Sequence, residues 1–289
     1  MPTGLDHAFL DDDFWAGHLK AVKRCQGTVC YGALVAHFGT QSPKHLEWRI
    51  DRRRPYDGDG DPSISNKYRR WRQGKALPGR SAVAWVRERS GSSVRLDFWL
   101  GLPLWELLAP EPPPLQRIHQ LLLASPVTIR GSVFRYASFD AERCFRTTRE
   151  PAQLLAIRNQ HSLDAFIALL CLARKSEMFS DAQHHFLPTA CAFDILPRVL
   201  YTHRPLRYRW EDLFACLETI FWSYPFPYPD RRDCKFSIET VRSGLQALDV
   251  DPAAELPQLS GKRVRVIDER PTEYEEWLAE GGSSLDTGL

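Results

Sequence analysis

Apolar residues recur along this chain at spacings of three and four, which is the period of an amphipathic helix. The clearest example runs from Ser162 to Lys175, where one face carries Leu163, Phe166, Ile167, Leu170 and Cys171. The same spacing recurs from Trp210 to Trp222, and Ser237 precedes a further such stretch in the position of a helix cap. We therefore predict a mainly α protein with at most a few short strands.

Shorter apolar stretches predict the remaining elements. We predict helices over residues 12–24, 29–38, 63–75, 81–89, 116–124 and 272–280. The acidic start of the first suits a helix N-terminus, and Gly39 and Gly91 are typical of helix ends. The alternating pattern of residues 127–136 predicts a strand or hairpin, and residues 262–267 predict one short strand.

The sequence PEPPP at residues 110–114 is the sharpest break in these patterns. Prolines fix φ and remove backbone donors, so this run predicts a stiff linker. We therefore predict an N-terminal helical domain over residues 1–109 and a larger, mainly helical domain over residues 115–289. The second domain is expected to form a homodimer or to bind a protein partner.

Composition places the chain among folded proteins that do not enter a membrane. It has 289 residues, of which 43% are hydrophobic and 26% charged. No apolar run approaches the roughly 20 residues of a spanning helix. The N-terminus is acidic and lacks a signal pattern, so we expect a cytoplasmic protein. The 7 cysteines are odd in number and form no CxxC, which predicts small buried side chains instead of disulfides or a zinc site.

Charge is distributed unevenly along the chain, although its formal net value is only +2. From Lys44 to Arg89, 13 Lys or Arg stand against 6 acidic residues, a balance of +7. From Asp249 onwards, 10 acidic residues stand against 4 basic ones, a balance of −6. This asymmetry indicates either a basic patch for a polyanion with an acidic end, or two solvated surfaces of opposite sign.

The basic region centres on residues 63–75. In a helix, Ile64, Tyr68 and Trp71 share one face at positions i, i+4 and i+7, and the cations lie on the other side. An aromatic stripe that anchors the helix and a basic face that meets phosphates are typical of a groove-reading element.

Ser63, Trp71, Gly74, Pro78, Val83 and Val86 together resemble the recognition-helix half of a lambda-repressor-like, Cro-type helix-turn-helix. The resemblance implies that Pro78 leads into a fourth helix whose aliphatic residues pack in the core. It further implies that the base-facing residues are Ser65, Asn66, Lys67, Arg69 and Arg70, and that the phosphate-facing ones are Arg72, Lys75 and Arg80. Arg52, Arg53 and Arg54 complete the predicted nucleic-acid-binding set.

The family places its second helix a few residues before the third. The best match for that second helix is residues 32–39, and residues 40–62 separate it from Ser63. Either an insertion opens the tight turn, or the segment is not a helix-turn-helix. The resemblance covers residues 63–91 only.

Candidate catalytic groups are weaker signals. Asp181 with His184 and His185 has the types of a general base and its carboxylate, but a solvated loop or helix edge explains the segment better. Ser162 and Asp11–Asp13 fit helix starts better than a nucleophile or a nuclease site. The acidic run at residues 57–61 lacks the rest of a calcium loop. The sequence indicates no cofactor or metal and favours a non-enzymatic protein that binds nucleic acid, most readily duplex DNA. The alternative is a protein–protein adaptor that uses Tyr68, Trp71 and the arginines.

Overall fold

A computed structural model of the protein describes residues 12–52, 66–135, 146–147, 151–179, 181–222 and 236–260. This part is mainly α, as predicted. Its first half contains α1 (Asp12–Phe38), α2 (Pro43–Asp51), α3 (Lys67–Arg72), α4 (Arg80–Arg89), α5 (Leu96–Leu100) and α6 (Leu104–Leu107). Its second half contains α7 (Leu115–Ala124), α8 (Val127–Val133), α9 (Pro151–Arg158), α10 (Leu163–Met178), α11 (Ala182–Thr202), α12 (Arg204–Arg207), α13 (Trp210–Leu217) and α14 (Ile238–Val250).

Strand structure in the described residues amounts to one short ladder. β1 (Phe134–Arg135) pairs antiparallel with β2 (Arg146–Thr147). The predicted strand or hairpin over residues 127–136 is wrong for its first seven residues, which form α8 after Pro126. Proline suits the entry to a helix because its missing N–H has no intrahelical partner there. The predictions for residues 262–267 and 272–280 lie outside the described residues.

The N-terminal helix α1 is one continuous element of 27 residues, where the sequence predicts two helices. Gly27, which lies between the two predicted helices, allows close packing and does not end α1. A Cβ atom at Gly27 would lie 3.1 Å from the carbonyl oxygen of Ala76. The helix ends where predicted, at Gly39, whose φ is +65°.

Two hydrophobic clusters meet along α1. The larger cluster combines Val22, Cys25 and Val29 of α1 with buried residues of the helices from α6 to α14. The smaller cluster combines Tyr31 and Leu34 with the buried faces of α2, α3 and α4. The larger cluster therefore extends across the boundary predicted at residues 110–114. The division of the chain into two domains at that point stays a prediction.

The centre of the larger cluster is formed by α10 and α11. Ser162 caps α10 as predicted, because its side chain accepts a hydrogen bond from the backbone N–H of Ala165 at 3.1 Å. The helix α11 is not predicted by the pattern, since Pro188 and Pro197 lie inside it. Its burial against α10, α9 and α14 supports it in spite of the missing backbone donors.

The expectation of a solvated loop or helix edge at residues 181–185 is wrong for His185. His185 is fully buried, and its Nε2 lies 3.0 Å from Oε1 of Glu177. His184 Nδ1 lies 2.6 Å from Oδ2 of Asp181, whose Oδ1 caps the start of α11. Asp181 and His184 therefore cap the start of α11, and His185 belongs to the core.

Other local predictions are confirmed. α1 starts at Asp12 with acidic residues in its first turn, and Ser237 caps α14. The predicted helix from Trp210 to Trp222 is α13 followed by a π-helical turn, Glu218–Trp222. Among the described residues, no helix combines the length and the apolar character needed to cross a bilayer.

The described cysteines are buried, as the sequence predicts. Cys25, Cys30, Cys171, Cys191 and Cys216 are buried and carry free thiols. Burial raises the pKa of the Cys30 and Cys191 thiols to about 12. Cys25 and Cys216 bring their Sγ atoms within 3.8 Å of each other between α1 and α13. The remaining two, Cys144 and Cys234, lie outside the described residues.

Candidate nucleic-acid interface

The helix α3 carries the cations that the sequence singles out, but it has only 6 residues. A helix this short is unstable alone, so tertiary contacts must hold it. Tyr68 and Trp71 supply them, because both are buried in the smaller cluster against α1 and α2. Their rings meet edge to face with centroids 5.1 Å apart. The predicted shared face of these two aromatic residues is confirmed, and Ile64 lies outside the described residues.

Asp51, at the end of α2, ties three helices together. Its Oδ1 accepts hydrogen bonds from the Tyr68 hydroxyl at 3.2 Å and from Nε1 of Trp85 at 3.0 Å. Its Oδ2 accepts one from Nζ of Lys67 at 2.9 Å. Burial, followed by the charge of Asp51, raises the pKa of Tyr68 above its ordinary value. The carboxylate of Asp51 thereby joins α2, α3 and α4 into one unit.

Lys67, which the sequence predicts to face a DNA groove, has its charge paired within the protein. Its ammonium group forms an ion pair with Asp51 and lies 4.5 Å from the centre of the Tyr68 ring. The lysine is therefore committed to the fold. The sequence hides this role, because Asp51 is 16 residues earlier in the chain.

The turn after α3 is seated directly on α1. Gly74 has a φ of +65°, and the N–H of Lys75 donates to the Arg70 carbonyl at 2.8 Å. A Cβ atom at Gly74 would lie 2.5 Å from the carbonyl oxygen of Arg24. Arg24 thus borders the predicted site, although sequence spacing gave no sign of it. Its guanidinium lies 3.9 Å from the carboxylate of Asp212.

The other cations on and after α3 face solvent. Each is exposed, and none forms an ion pair with a carboxylate in the described part of the chain; they are Arg69, Arg70, Arg72, Lys75 and Arg80. Successive helical residues point about 100° apart, so Arg69 and Arg70 lie on the side of α3 opposite Tyr68 and Trp71. We call these five residues, together with Arg52, the basic surface.

The remaining predicted residues are either exposed or lie outside the described residues. Arg52 is exposed at the end of α2 and adopts a φ of +54°. Asn66 is exposed just before α3, and its side chain caps no backbone group there. Arg53, Arg54 and Ser65 lie outside the described residues.

Sequence analysis missed an exposed aromatic residue beside the basic surface. Trp48 on α2 has 55% of its surface exposed, whereas Leu46 and Ile50 of the same helix are buried. Arg52 follows α2 directly as its C-terminal cap residue. The spacing of Leu46 and Ile50 was the signal that would have predicted α2 and its outer face.

The helix-turn-helix resemblance concerns the order of α1, α2, α3 and α4 along the chain. Residues 32–38 form the last two turns of α1, and α2 is the helix that precedes α3 in the chain. After Pro78, α4 starts at Arg80 and buries Val86, as the resemblance implies. At 1.5 Å per residue, α3 is about 9 Å long.

We expect Asp51→Ala to destabilise the protein by about 1–3 kcal/mol, because the buried Tyr68 hydroxyl and Lys67 lose their acceptor. Asp97→Ala is the matched control. Its carboxylate pairs with Arg95 at 3.0 Å in an exposed position, so its loss should cost less than about 1 kcal/mol. Urea unfolding measures both. Equal midpoints for the two variants would refute the role of Asp51.

No group of three or more His, Cys, Asp or Glu side chains is placed to hold a metal ion in the ranges that the structure describes. Comparison with protein-family models, with curated proteins and with solved structures found no match.

Proposed function

We propose that this protein binds nucleic acid, with duplex DNA as the first candidate, through the basic surface. The observation that carries the proposal is the set of exposed cations around α3 that no described carboxylate neutralises. Tyr68, Trp71 and Asp51 hold the backbone beneath them in place. Fixed, unpaired cations suit a phosphate backbone, because binding releases the condensed counterions of the polyanion.

Two groups of cations on the basic surface would contact different parts of the nucleic acid. Arg69 and Arg70 project from the helix and are the candidates for base edges or for the nearest phosphates. Arg72, Lys75 and Arg80 follow around the turn and would meet the flanking backbone. The helix-turn-helix resemblance remains part of this proposal, as do the cytoplasmic location and a dimer formed through residues 115–289.

The test is a fluorescence-anisotropy titration of duplex DNA across a range of salt concentrations. Arg69→Ala together with Arg70→Ala should weaken binding about tenfold or more and lower the steepness of the salt dependence by about two. Both side chains are exposed, so the fold should be unaffected. A control removes the same charge elsewhere, with Arg130→Ala and Arg204→Ala at two exposed positions of α8 and α12.

The control variant should bind as the wild type does. A double variant of Arg69 and Arg70 that titrates like the wild type would refute the proposal. Parallel titrations with single-stranded DNA and with RNA decide which nucleic acid binds most tightly.

A protein–protein adaptor is the second candidate, and one observation favours it. A mainly apolar groove of about 610 Å³ lies beside α4, with Pro78, Val83 and Leu100 among its lining residues. Tyr68 and Trp71 do not take part in such a surface, because they are 0% and 3% exposed. A pull-down at low salt, with and without nuclease, separates the two functions. Partners that survive nuclease treatment favour the adaptor, and partners that are lost favour nucleic-acid binding.

A further inference from the structure

The segment that follows α14, residues 251–260, is fastened to α9 and α11 by side chains. Arg198 donates to the carbonyl oxygens of Pro252 at 2.9 Å and Ala254 at 2.8 Å. Asp194 accepts from the backbone N–H groups of Leu259 at 2.7 Å and Ser260 at 3.0 Å. These bonds hold the segment across the face of α11.

A cavity of about 540 Å³ remains between this segment and the helices. Its helical side presents Arg158 at the end of α9, His161 just before α10, and Asp194 and Arg198 of α11. The volume lies within the range of small-molecule sites, which is about 300–1,000 Å³. The lining is polar on the helical side, so an apolar ligand is a poor match.

Two arginines and two acidic residues line the cavity, and they are not all paired with one another. Arg158 is buried and lies 3.8 Å from Asp194, so these two offset each other. Arg198 is half-buried, and its guanidinium donates to backbone carbonyl oxygens; no described carboxylate lies within ion-pair distance of it. Glu255 is exposed at the rim. A partly desolvated guanidinium without a counter-charge is costly unless an anion joins it.

His161 adds a second unsatisfied group to the cavity wall. Its Nδ1 atom is buried and has no hydrogen-bond partner in the described part of the chain. Its backbone adopts a φ of +49°, in the left-handed region. Burial and the charges of Arg198 and Arg158 lower the pKa of this imidazole. A neutral imidazole still donates one hydrogen bond, so it suits an oxyanion beside the arginines.

We propose that this cavity binds a small molecule through an oxyanion group, a phosphate or a carboxylate, held by Arg198 with His161 and Arg158. The planar guanidinium matches both kinds of group through paired N–H donors. The ligand would balance the charge of Arg198 and would accept a hydrogen bond from His161 when the imidazole carries its proton on Nδ1. This site is separate from the basic surface and does not depend on the proposed function.

Isothermal titration with inorganic phosphate, pyrophosphate and citrate tests the proposal, with sodium chloride at matched ionic strength as the blank. The protein should carry Arg69→Ala and Arg70→Ala, so that the basic surface does not contribute. We expect saturable binding of one equivalent of at least one probe. The phosphate and citrate arms tell which oxyanion the site prefers.

Two substitutions then locate the site. Arg198→Gln should weaken binding about tenfold or more because it removes the guanidinium charge and its paired donors, and His161→Asn should do so because a shorter amide replaces the imidazole N–H. Asparagine tolerates the positive φ at position 161, and His161 has no side-chain bond to the 251–260 segment in the described structure. His161→Asn therefore decides the question if Arg198→Gln fails to fold. Arg204→Gln removes one exposed charge nearby in sequence and should leave binding unchanged.

The outcomes are clear-cut. Saturable binding that both site variants weaken, and that Arg204→Gln does not, supports the cavity. The absence of saturable binding for all three probes overturns the proposal. Binding that is equally strong in His161→Asn and in the parent protein also overturns it, and Arg198 then serves only to fasten the C-terminal segment.

Discussion

Replacing Arg174 by methionine should lower the free energy of unfolding by about 3–5 kcal/mol, because it leaves a buried carboxylate without its cation. Arg174 is 0% exposed and forms an ion pair with Glu177, one turn later on α10. Its Nη2 also donates to the carbonyl oxygens of Ala109 at 2.6 Å and Pro110 at 3.1 Å. The same side chain therefore holds the start of the proline-rich run against the core.

The matched control for this effect is Arg117→Met. Arg117 pairs with Glu106 at 2.8 Å, with 47% of the arginine side chain exposed. An exposed pair of this kind contributes less than about 1 kcal/mol. Urea unfolding of both variants measures the difference. Equal losses would show that the buried pair has no special role.

A double variant separates the lost pair from the stranded charge. Arg174→Met combined with Glu177→Met removes both charges and replaces them with apolar side chains. Replacing a whole buried pair is often close to neutral, so the double variant should be more stable than Arg174→Met. His185 loses its contact with Glu177 in that variant, which keeps the recovery partial.

Two glycines of α1 should respond to alanine with opposite signs. Gly32→Ala should cost about 1–3 kcal/mol or more, because its Cβ would lie 2.6 Å from Cβ of Tyr208 and 2.7 Å from the carbonyl oxygen of Pro205. Gly17→Ala should stabilise by up to about 1 kcal/mol, because nothing lies within 4 Å of its Cβ and alanine is the better helix former. At Gly32 the added Cβ would meet backbone atoms of α12, which cannot move aside as easily as the end of a flexible side chain.

Thermal or urea unfolding of the two variants tests this pair of glycines. The identical substitution in the same helix removes helix propensity as an explanation of the difference. Shifts of the same sign in both variants would contradict the close approach of α1 and α12. The test also probes the smaller cluster, because Tyr208 packs near Tyr31 with ring centroids 5.4 Å apart.

Local pattern was sufficient where the signal was a cap or a clean helical period. Ser162 and Ser237 start the helices that the sequence predicts, and α10 buries the predicted face. Tyr68 and Trp71 are inside and Arg69 and Arg70 outside, as the period of 3.6 requires. These features depend on neighbours within one or two turns, so the order of residues is enough to predict them.

The pattern failed where packing overrides local preference. The continuity of α1 and the whole of α11 were not predicted; Gly27 lies between the two helices predicted within α1, and Pro188 and Pro197 lie inside α11. In α1 the glycine is needed for a close approach to residues 74–76. In α11 the neighbouring helices bury the chain on most of its faces, which outweighs the lost backbone bonds.

The composition and local order of this chain establish a mainly helical protein with a cluster of cations around residue 70. Folding determines which cations of the chain are left without an acidic partner. Asp51 takes Lys67 out of the surface, and Arg198 acquires its cavity from a segment more than fifty residues away. Electrostatic pairing depends on distances in space, and a helical period carries no information about charges that meet through tertiary packing.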